Sequence, residues 1–290
     1  GNIAYVDGGI KHKKLKDFEL DLKISSNQFL LIDTEKKDNE LFYGRGIGAA
    51  TVEFSGPLAE ANININATTS GDSWMNIPLT TSSSAKAANF IEFINPKDTA
   101  KNDKQVNFFG ANLKLELNVT PQAEISLIFD ESVGDIMRAR GKGNLAINVT
   151  NKGEFTMFGT YEVVSGEYLF TYSAGSFLSI NKPFTVKRGG TITWDGSPYT
   201  AQINIDAAYK DLRTSPYNLI LEYLTTDDQI AAAQRATDVE LLMELRGDLM
   251  KPDINFDIQF PNLNQNIQGL VDSKMRTLKA DKNELNRQVF

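Results

Sequence analysis

Alternation of apolar and polar residues runs through most of this 290-residue chain and constrains its fold more than any other feature. Leu113, Leu115, Leu117 and Val119 are separated by single polar residues, and similar runs recur as far as Phe260. A period of two gives a β-strand one apolar face and one polar face. Gly, Asn, Asp and Pro lie between the runs, as expected for turns. The pattern predicts an all-β fold.

Two segments near the C-terminus favour helix instead. Residues 264–290 place Ile267, Val271 and further apolar residues at helical spacing, which predicts an amphipathic helix. Upstream, Thr226 and Gln229 fit the capping box that begins a helix. Residues 227–246 are ambiguous, because helix propensity extends through the segment while its second half also alternates. We predict a short helix followed by a strand.

The pattern divides the chain into three parts. Residues 1–110 contain strands and a stretch at 82–106, rich in Ser, Ala, Lys and Asn, that predicts a mobile loop. Residues 111–263 form the main β-domain, and residues 264–290 form the amphipathic helix. We interpret the chain as a piece of a longer protein, so any membrane anchor would lie outside it.

Composition excludes several classes of function. The chain has no cysteine and only one histidine, His12, which excludes disulfides, thiol nucleophiles and zinc–thiolate sites and disfavours histidine-based catalysis. With 30 basic and 37 acidic residues the formal charge is −7, which disfavours nucleic acid as a partner. No run reaches the roughly 20 apolar residues of a spanning helix. We therefore expect a non-enzymatic protein with no catalytic residue, no metal site and no cofactor.

The glycine-rich strings are best interpreted as structural and not as ligand-binding motifs. Gly44-Arg-Gly-Ile-Gly48 lacks the third glycine of a dinucleotide-binding loop and no helix is expected behind it, so we interpret its glycines as turn or bulge residues. Asn151-Lys-Gly153 and Arg188-Gly-Gly190 predict hairpin turns.

A succession of longer strings carries a family resemblance that covers nearly the whole chain. Four of them are Gly71-Asp-Ser-Trp-Met-Asn-Ile-Pro-Leu79, Gly153-Glu-Phe-Thr-Met-Phe-Gly-Thr-Tyr161, Gly189-Gly-Thr-Ile-Thr-Trp-Asp-Gly-Ser-Pro-Tyr199 and Leu245-Arg-Gly-Asp-Leu-Met-Lys-Pro-Asp-Ile-Asn-Phe256. In this order they resemble the C-terminal domain of TamB, the translocation and assembly module subunit of the AsmA-like superfamily, in its Bacteroidota form.

The resemblance implies an elongated, taco-shaped β-sheet with a hydrophobic inner groove and short helices near the C-terminus. It also implies a terminal strand that should follow the helix at 264–290 and is missing here. The protein would be an envelope protein of the Gram-negative periplasm, anchored in the inner membrane by a segment outside this chain and contacting the outer membrane. Its implied partners are phospholipid acyl chains, carried between the two membranes, and an outer-membrane barrel of the BamA/TamA superfamily. The alternative is a scaffold that docks to the barrel by β-strand pairing, with a sealed core and no lipid transport.

The alternating apolar residues are the candidate lining of such a groove, and a sealed core is the competing interpretation of the same residues. The candidates are Leu113, Leu115, Leu117, Ile125, Leu127, Leu145, Ile147, Val149, Phe155, Met157, Tyr161, Ile192, Trp194, Ile203, Ile205, Ile254, Phe256 and Ile258.

Overall fold

The sheet dominates the structure of the chain. The computed structural model describes residues 3–38, 42–79, 111–152, 154–174, 178–198 and 200–280. Within these ranges 14 strands form one sheet, and short helices lie near the C-terminus, which confirms the predicted all-β class. The loop predicted at 82–106 lies outside the described residues.

The elements have the following bounds. The strands are β1 (Ala4–Lys13), β2 (Lys16–Thr34), β3 (Tyr43–Pro57), β4 (Asn62–Thr69), β5 (Trp74–Pro78), β6 (Asn112–Val119), β7 (Glu124–Asp130), β8 (Asp135–Val149), β9 (Phe155–Ala174), β10 (Leu178–Val186), β11 (Thr191–Gly196), β12 (Gln202–Thr214), β13 (Thr237–Asp248) and β14 (Asp253–Gln259). The helices are α1 (Tyr217–Ile220), α2 (Asp227–Ala233) and α3 (Gln265–Ala280), with single 3-10 turns at Leu58–Glu60 and Leu221–Tyr223.

Neighbouring strands run antiparallel except at two places. The main path through the sheet is β1-β2-β3-β4-β6-β8-β9-β10-β12-β13-β14. The pairs β4–β6 and β5–β7 are parallel.

Three pairs of consecutive strands each form one long strand that is interrupted by a short insertion. β4 and β5 both pair antiparallel with β3, so they run in the same direction, and four residues, 70–73, are inserted between them. Residues 120–123 interrupt β6 and β7 beside β8 in the same way. Residues 187–190 interrupt β10 and β11 beside β9. The hairpin predicted at Arg188-Gly-Gly190 is therefore wrong, whereas the turn at Asn151–Lys152 does join the antiparallel pair β8 and β9.

The interruptions align into one crease across the sheet. The insertion at 70–73 stacks on that at 120–123, where Glu124 N–H donates to the Ser73 carbonyl at 3.0 Å and the Thr69 and Thr120 hydroxyls lie 3.1 Å apart. Register shifts in β2–β3 and in β8–β9 continue the line. Bulges and inserted residues bend a strand and raise its twist, so a line of them bends the whole sheet.

Glycines line the crease where neighbouring backbones approach closely. Gly44, Gly46 and Gly48 lie inside β3 beside a bulge of β2, so they are not turn residues. A Cβ on Gly48 would overlap the Thr68 carbonyl oxygen, and one on Gly143 would overlap that of Thr160. Glycine is the residue that permits such contact.

The crease divides the sheet into two arms that fold over each other. The first arm consists of β4, β6, β11 and the parts of β8 and β9 paired with them. The second arm consists of β5, β7, β10 and the remaining parts of β8 and β9. One hydrophobic core contains Leu145 and Trp194 from the first arm together with Met137, Tyr168 and Phe184 from the second.

A small helical layer covers the end of β14. Ile267 and Val271 of α3 pack against Ile220 of α1 and Ala233 of α2, and Ile258 of β14 touches this cluster. Thr226 caps α2 by accepting a hydrogen bond from Gln229 N–H. The predicted order of a short helix followed by a strand in 227–246 is confirmed.

Candidate functional site: an apolar groove

Strand pairing aligns the alternating residues into rows across the inner face. Residues that are partners in adjacent strands point to the same face of a sheet. One such row, which we call the central row, runs through seven strands: Val6, Ile24, Val52, Ile65, Leu115, Ile147 and Met157. A second row beside it contains Leu22, Phe54, Ile63, Leu113, Val149 and Phe155.

The described residues leave much of this face partly exposed. Val6 is 64% exposed, and Ile24, Ile65, Leu115 and Ile147 are partly exposed, whereas Val52 of the same row is buried. We call Ile24, Ile63, Ile65, Leu113, Leu115 and Ile147 the open patch, because within the described ranges none of these six belongs to a buried cluster or packs against one. Contiguous apolar surface of this kind is uncommon on a soluble domain and marks a binding surface.

The length of the central row suits a lipid. Adjacent strands lie about 4.8 Å apart, so seven strands span roughly 29 Å. The hydrocarbon core of a bilayer is about 30 Å thick and contains two leaflets, so one acyl chain extends for about half of that. The row is therefore long enough for an acyl chain laid across the strands.

The other half of the inner face is sealed. Ile205, Ala207, Met243 and Leu245 of β12 and β13 are all 0% exposed. The sheet curls until Phe256 of β14 packs against the rings of Phe170 and Phe184, at centroid distances of 5.6 and 6.4 Å. These residues fill the space between the arms as an ordinary protein core does.

Two rings bridge the arms where the open and sealed halves meet. Phe42 precedes β3 at the outer end of the second arm, and Phe155 begins β9 in the first arm. Their ring centroids lie 6.3 Å apart, which is aromatic contact distance. Beyond Phe155, the next inner residue on β9 is Met157, which already packs against the sealed core.

The structure distributes the 18 candidate lining residues over both halves. In the sealed core lie Leu127, Leu145, Tyr161, Ile192, Trp194, Ile203 and Ile205. Partly buried residues packed against it are Leu117, Ile125, Met157, Phe256 and Ile258. Val149 is buried outside that cluster, Leu113, Leu115, Ile147 and Phe155 face the open half, and Ile254 is 36% exposed on the edge strand β14.

Some residues of the open half were not among the candidates. Ile24, Ile63 and Ile65 line the same face as Leu115, and Leu22 and Phe54 lie in the adjacent row. Their signal was present, because Leu22, Ile24, Ile63 and Ile65 alternate with polar neighbours in the same way. The parallel pairing of β4 with β6, which joins them to Leu115, has no local signature.

Comparison with known proteins decides the family. The family model of the TamB C-terminal domain matches residues 1–287. The chain belongs to the TamB family. Among curated proteins, none matches the chain.

Family membership gives the broad role and location. TamB proteins are components of the translocation and assembly module, and the family is a non-enzymatic module for envelope assembly and lipid-transport-related work in Gram-negative bacteria. TamB works with an outer-membrane partner of the TamA type.

One titratable pair is buried beside the sealed core of this TamB domain. The Tyr168 hydroxyl donates to Asp135, whose Oδ1 is buried and has no hydrogen-bond partner among the described residues. Burial, with a smaller contribution from nearby Asp130, raises the pKa of Asp135 to about 6. Burial also raises the pKa of Tyr168 far above its ordinary value. Burial therefore favours the neutral carboxylic acid, and Asp135 is protonated mainly below about pH 6.

Other site chemistries find no support in the part of the chain that the structure describes. No group of three or more His, Asp or Glu side chains there is arranged to hold a metal ion. No helix within the described ranges is both long and apolar enough to cross a membrane.

Proposed function

We propose that the open half of the groove holds phospholipid acyl chains while they pass between the inner and outer membranes. The observation that carries the proposal is the central row, in which apolar side chains from seven strands form one strip. This strip is partly exposed at Ile24, Ile65, Leu115 and Ile147 and buried at Val52. The chain would act in the periplasm as part of an inner-membrane-anchored protein, with a barrel of the BamA/TamA superfamily at the outer membrane.

The energetics of the strip favour lipid over water. Burying a methylene group stabilises the bound state by about 0.8 kcal/mol, so about ten methylenes along the central row contribute roughly 8 kcal/mol. This is comparable with the roughly 4–15 kcal/mol that association costs in lost freedom. Binding needs no charged side chain on this face, because the headgroup remains in water at the mouth. The polar outer face, with Lys114, Glu116 and Asn118 on β6, offers no comparable surface.

An arginine at position 147 tests this proposal. Ile147 is partly exposed on the inner face, so a guanidinium there can reach water and the sheet should remain folded. Lipid extracted from the purified Ile147→Arg variant should fall well below the wild-type amount when measured by mass spectrometry. The matched control is Ala146→Arg, one residue away on the outer face, which should retain wild-type lipid. Equal lipid in both variants would count against the groove.

A second candidate function rests on the edge of the sheet. Among the described residues β14 is the last strand on the main path of the sheet and pairs with β13. We infer that a strand of a partner could add at this end of the sheet. A scaffold of this kind would dock to an outer-membrane barrel through β14 and would need no lipid. A photo-cross-linker at Gln259 of β14 should then capture the barrel in cells, whereas one at Glu116 on the outer face should not.

A further inference from the structure

The groove has an open half and a sealed half, and the boundary between them limits the path of a lipid. We infer that an acyl chain enters and leaves the open half through its solvent-exposed side and does not pass along the groove axis toward β14. We further infer that the groove stops at the Phe42–Phe155 pair. This inference rests on the proposed function and specifies where the bound chain can and cannot lie.

Burial along the sheet supports the stop. Along the central row, Ile24, Ile65, Leu115 and Ile147 are partly exposed, and Val52 between them is buried. In β12 and β13 the inner residues Ile205 and Met243 have no exposed surface. An acyl chain that moved along the groove axis toward β14 would have to push apart a close-packed core. The core residues would then lose van der Waals contacts, which costs free energy.

The far end of the sheet is closed as well. Phe256 of β14 packs against Phe170 and Phe184 of the second arm, so the last strand covers the groove at this position. The cluster formed by α1, α2 and α3 packs on Ile258 and Phe260 behind it.

The Phe42–Phe155 pair is placed to set the stop. Its members come from different arms, and their contact spans the trough at the point where Met157 joins the sealed core. Both rings are partly exposed, so their faces toward the open patch would meet the end of a bound acyl chain. The pair therefore acts as a positioning element for the lipid.

A photoactivatable phosphatidylethanolamine with a diazirine in its acyl chain gives the first test. The 290-residue chain is incubated with vesicles containing this lipid, irradiated, and digested to locate the adducts. We expect adducts on β4 and β6, around Ile65 and Leu115, and none on β12 and β13. Adducts around Ile205 or Met243 in folded protein would overturn the inference while leaving the proposed function intact. Absence of adducts everywhere would instead contradict the proposed function.

Removal of either ring gives the second test. Phe155→Ala and Phe42→Ala should let adducts extend past the pair to Met157, while Phe158→Ala should not. Phe158 is the control because it lies three residues from Phe155 in the same strand and faces the outer side, where it is exposed. An unchanged adduct map in both folded variants would show that the pair does not set the stop.

Thiol labelling tests the boundary without lipid and without emptying the core. Since the chain has no cysteine, single Leu115→Cys and Leu245→Cys variants can be compared directly. N-ethylmaleimide should label the first within minutes and the second at least 100-fold more slowly until denaturant is added. Similar labelling rates under native conditions would contradict the inference.

Discussion

The two halves of this sheet use the same strand pattern and differ in what lies opposite each strand. Leu115 on β6 and Ile205 on β12 both belong to alternating apolar runs and both point to the inner face. Leu115 is partly exposed, whereas Ile205 is fully buried because the second arm and β14 close over it. Alternation therefore determines the face of a residue, and the folding of the arms determines whether that face is a groove or a core.

Arginine substitution should separate the halves most strongly. Ile205→Arg places a charge where no water reaches, at a cost of several kcal/mol, which is comparable with the whole stability of a domain. We expect this variant to lose its cooperative melting transition in circular dichroism. Ile147→Arg, with the same side chain in the open half, should melt within a few degrees of the wild type. Equal melting of the two variants would remove the distinction between core and groove.

Substitutions at the crease should have the next largest effect on stability, because the crease joins the two arms. A Cβ at position 143 would overlap the Thr160 carbonyl oxygen, so Gly143→Ala forces β8 away from β9. We expect a loss of about 1–3 kcal/mol, the usual cost of overpacking, in urea denaturation. Gly9→Ala in the exposed strand β1 is the control, since no atom lies within 4 Å of the new methyl group. A neutral Gly143→Ala would show that the crease is not tightly packed.

Much of the fold could be predicted from the sequence, because the signals involved are local. The strand faces follow from period two, and the short helix at α2 follows from the Thr226 cap. The extent of the groove could not be predicted, because it depends on the contact between Phe42 and Phe155, which are 113 positions apart (155 − 42). No local pattern distinguishes Leu115 from Ile205.

The crease explains the one turn that was predicted wrongly. Arg188-Gly189-Gly190 has the composition of a hairpin, but the Gly189 N–H donates to the Val163 carbonyl and the Val163 N–H donates to the Gly190 carbonyl. These bonds hold the insertion against β9, so the chain continues in its original direction. A glycine-rich turn signal marks a break in a strand, and only the nonlocal partner decides whether the chain reverses.

The stability of the sealed half should also depend on pH. The pKa of Asp135 is raised from about 4 to about 6 by burial, so folding favours the protonated form. Its unfavourable contribution is absent below about pH 4, appears as pH rises, and is complete above about pH 6. Asp135→Asn should therefore raise the melting temperature at pH 7.5 and leave it nearly unchanged at pH 4. Glu116→Gln, on the outer face of the open half, should give no such difference.

The smallest expected effect concerns the helical layer that covers the closed end. Gly269 is exposed within α3 and no atom would meet a Cβ there, so Gly269→Ala should stabilise the helix by about 0.5–1 kcal/mol. The control is Gly134→Ala, where space is equally free but φ is +76°, and where alanine should destabilise the fold by about 1–2 kcal/mol. If the layer folds with the closed half, hydrogen exchange in Gly269→Ala should slow together in α1, α3 and β14 and remain unchanged in β1 and β2. Slower exchange confined to α3 would show that the helices form a separate unit, and the closed end would then depend on the Phe256 contacts alone.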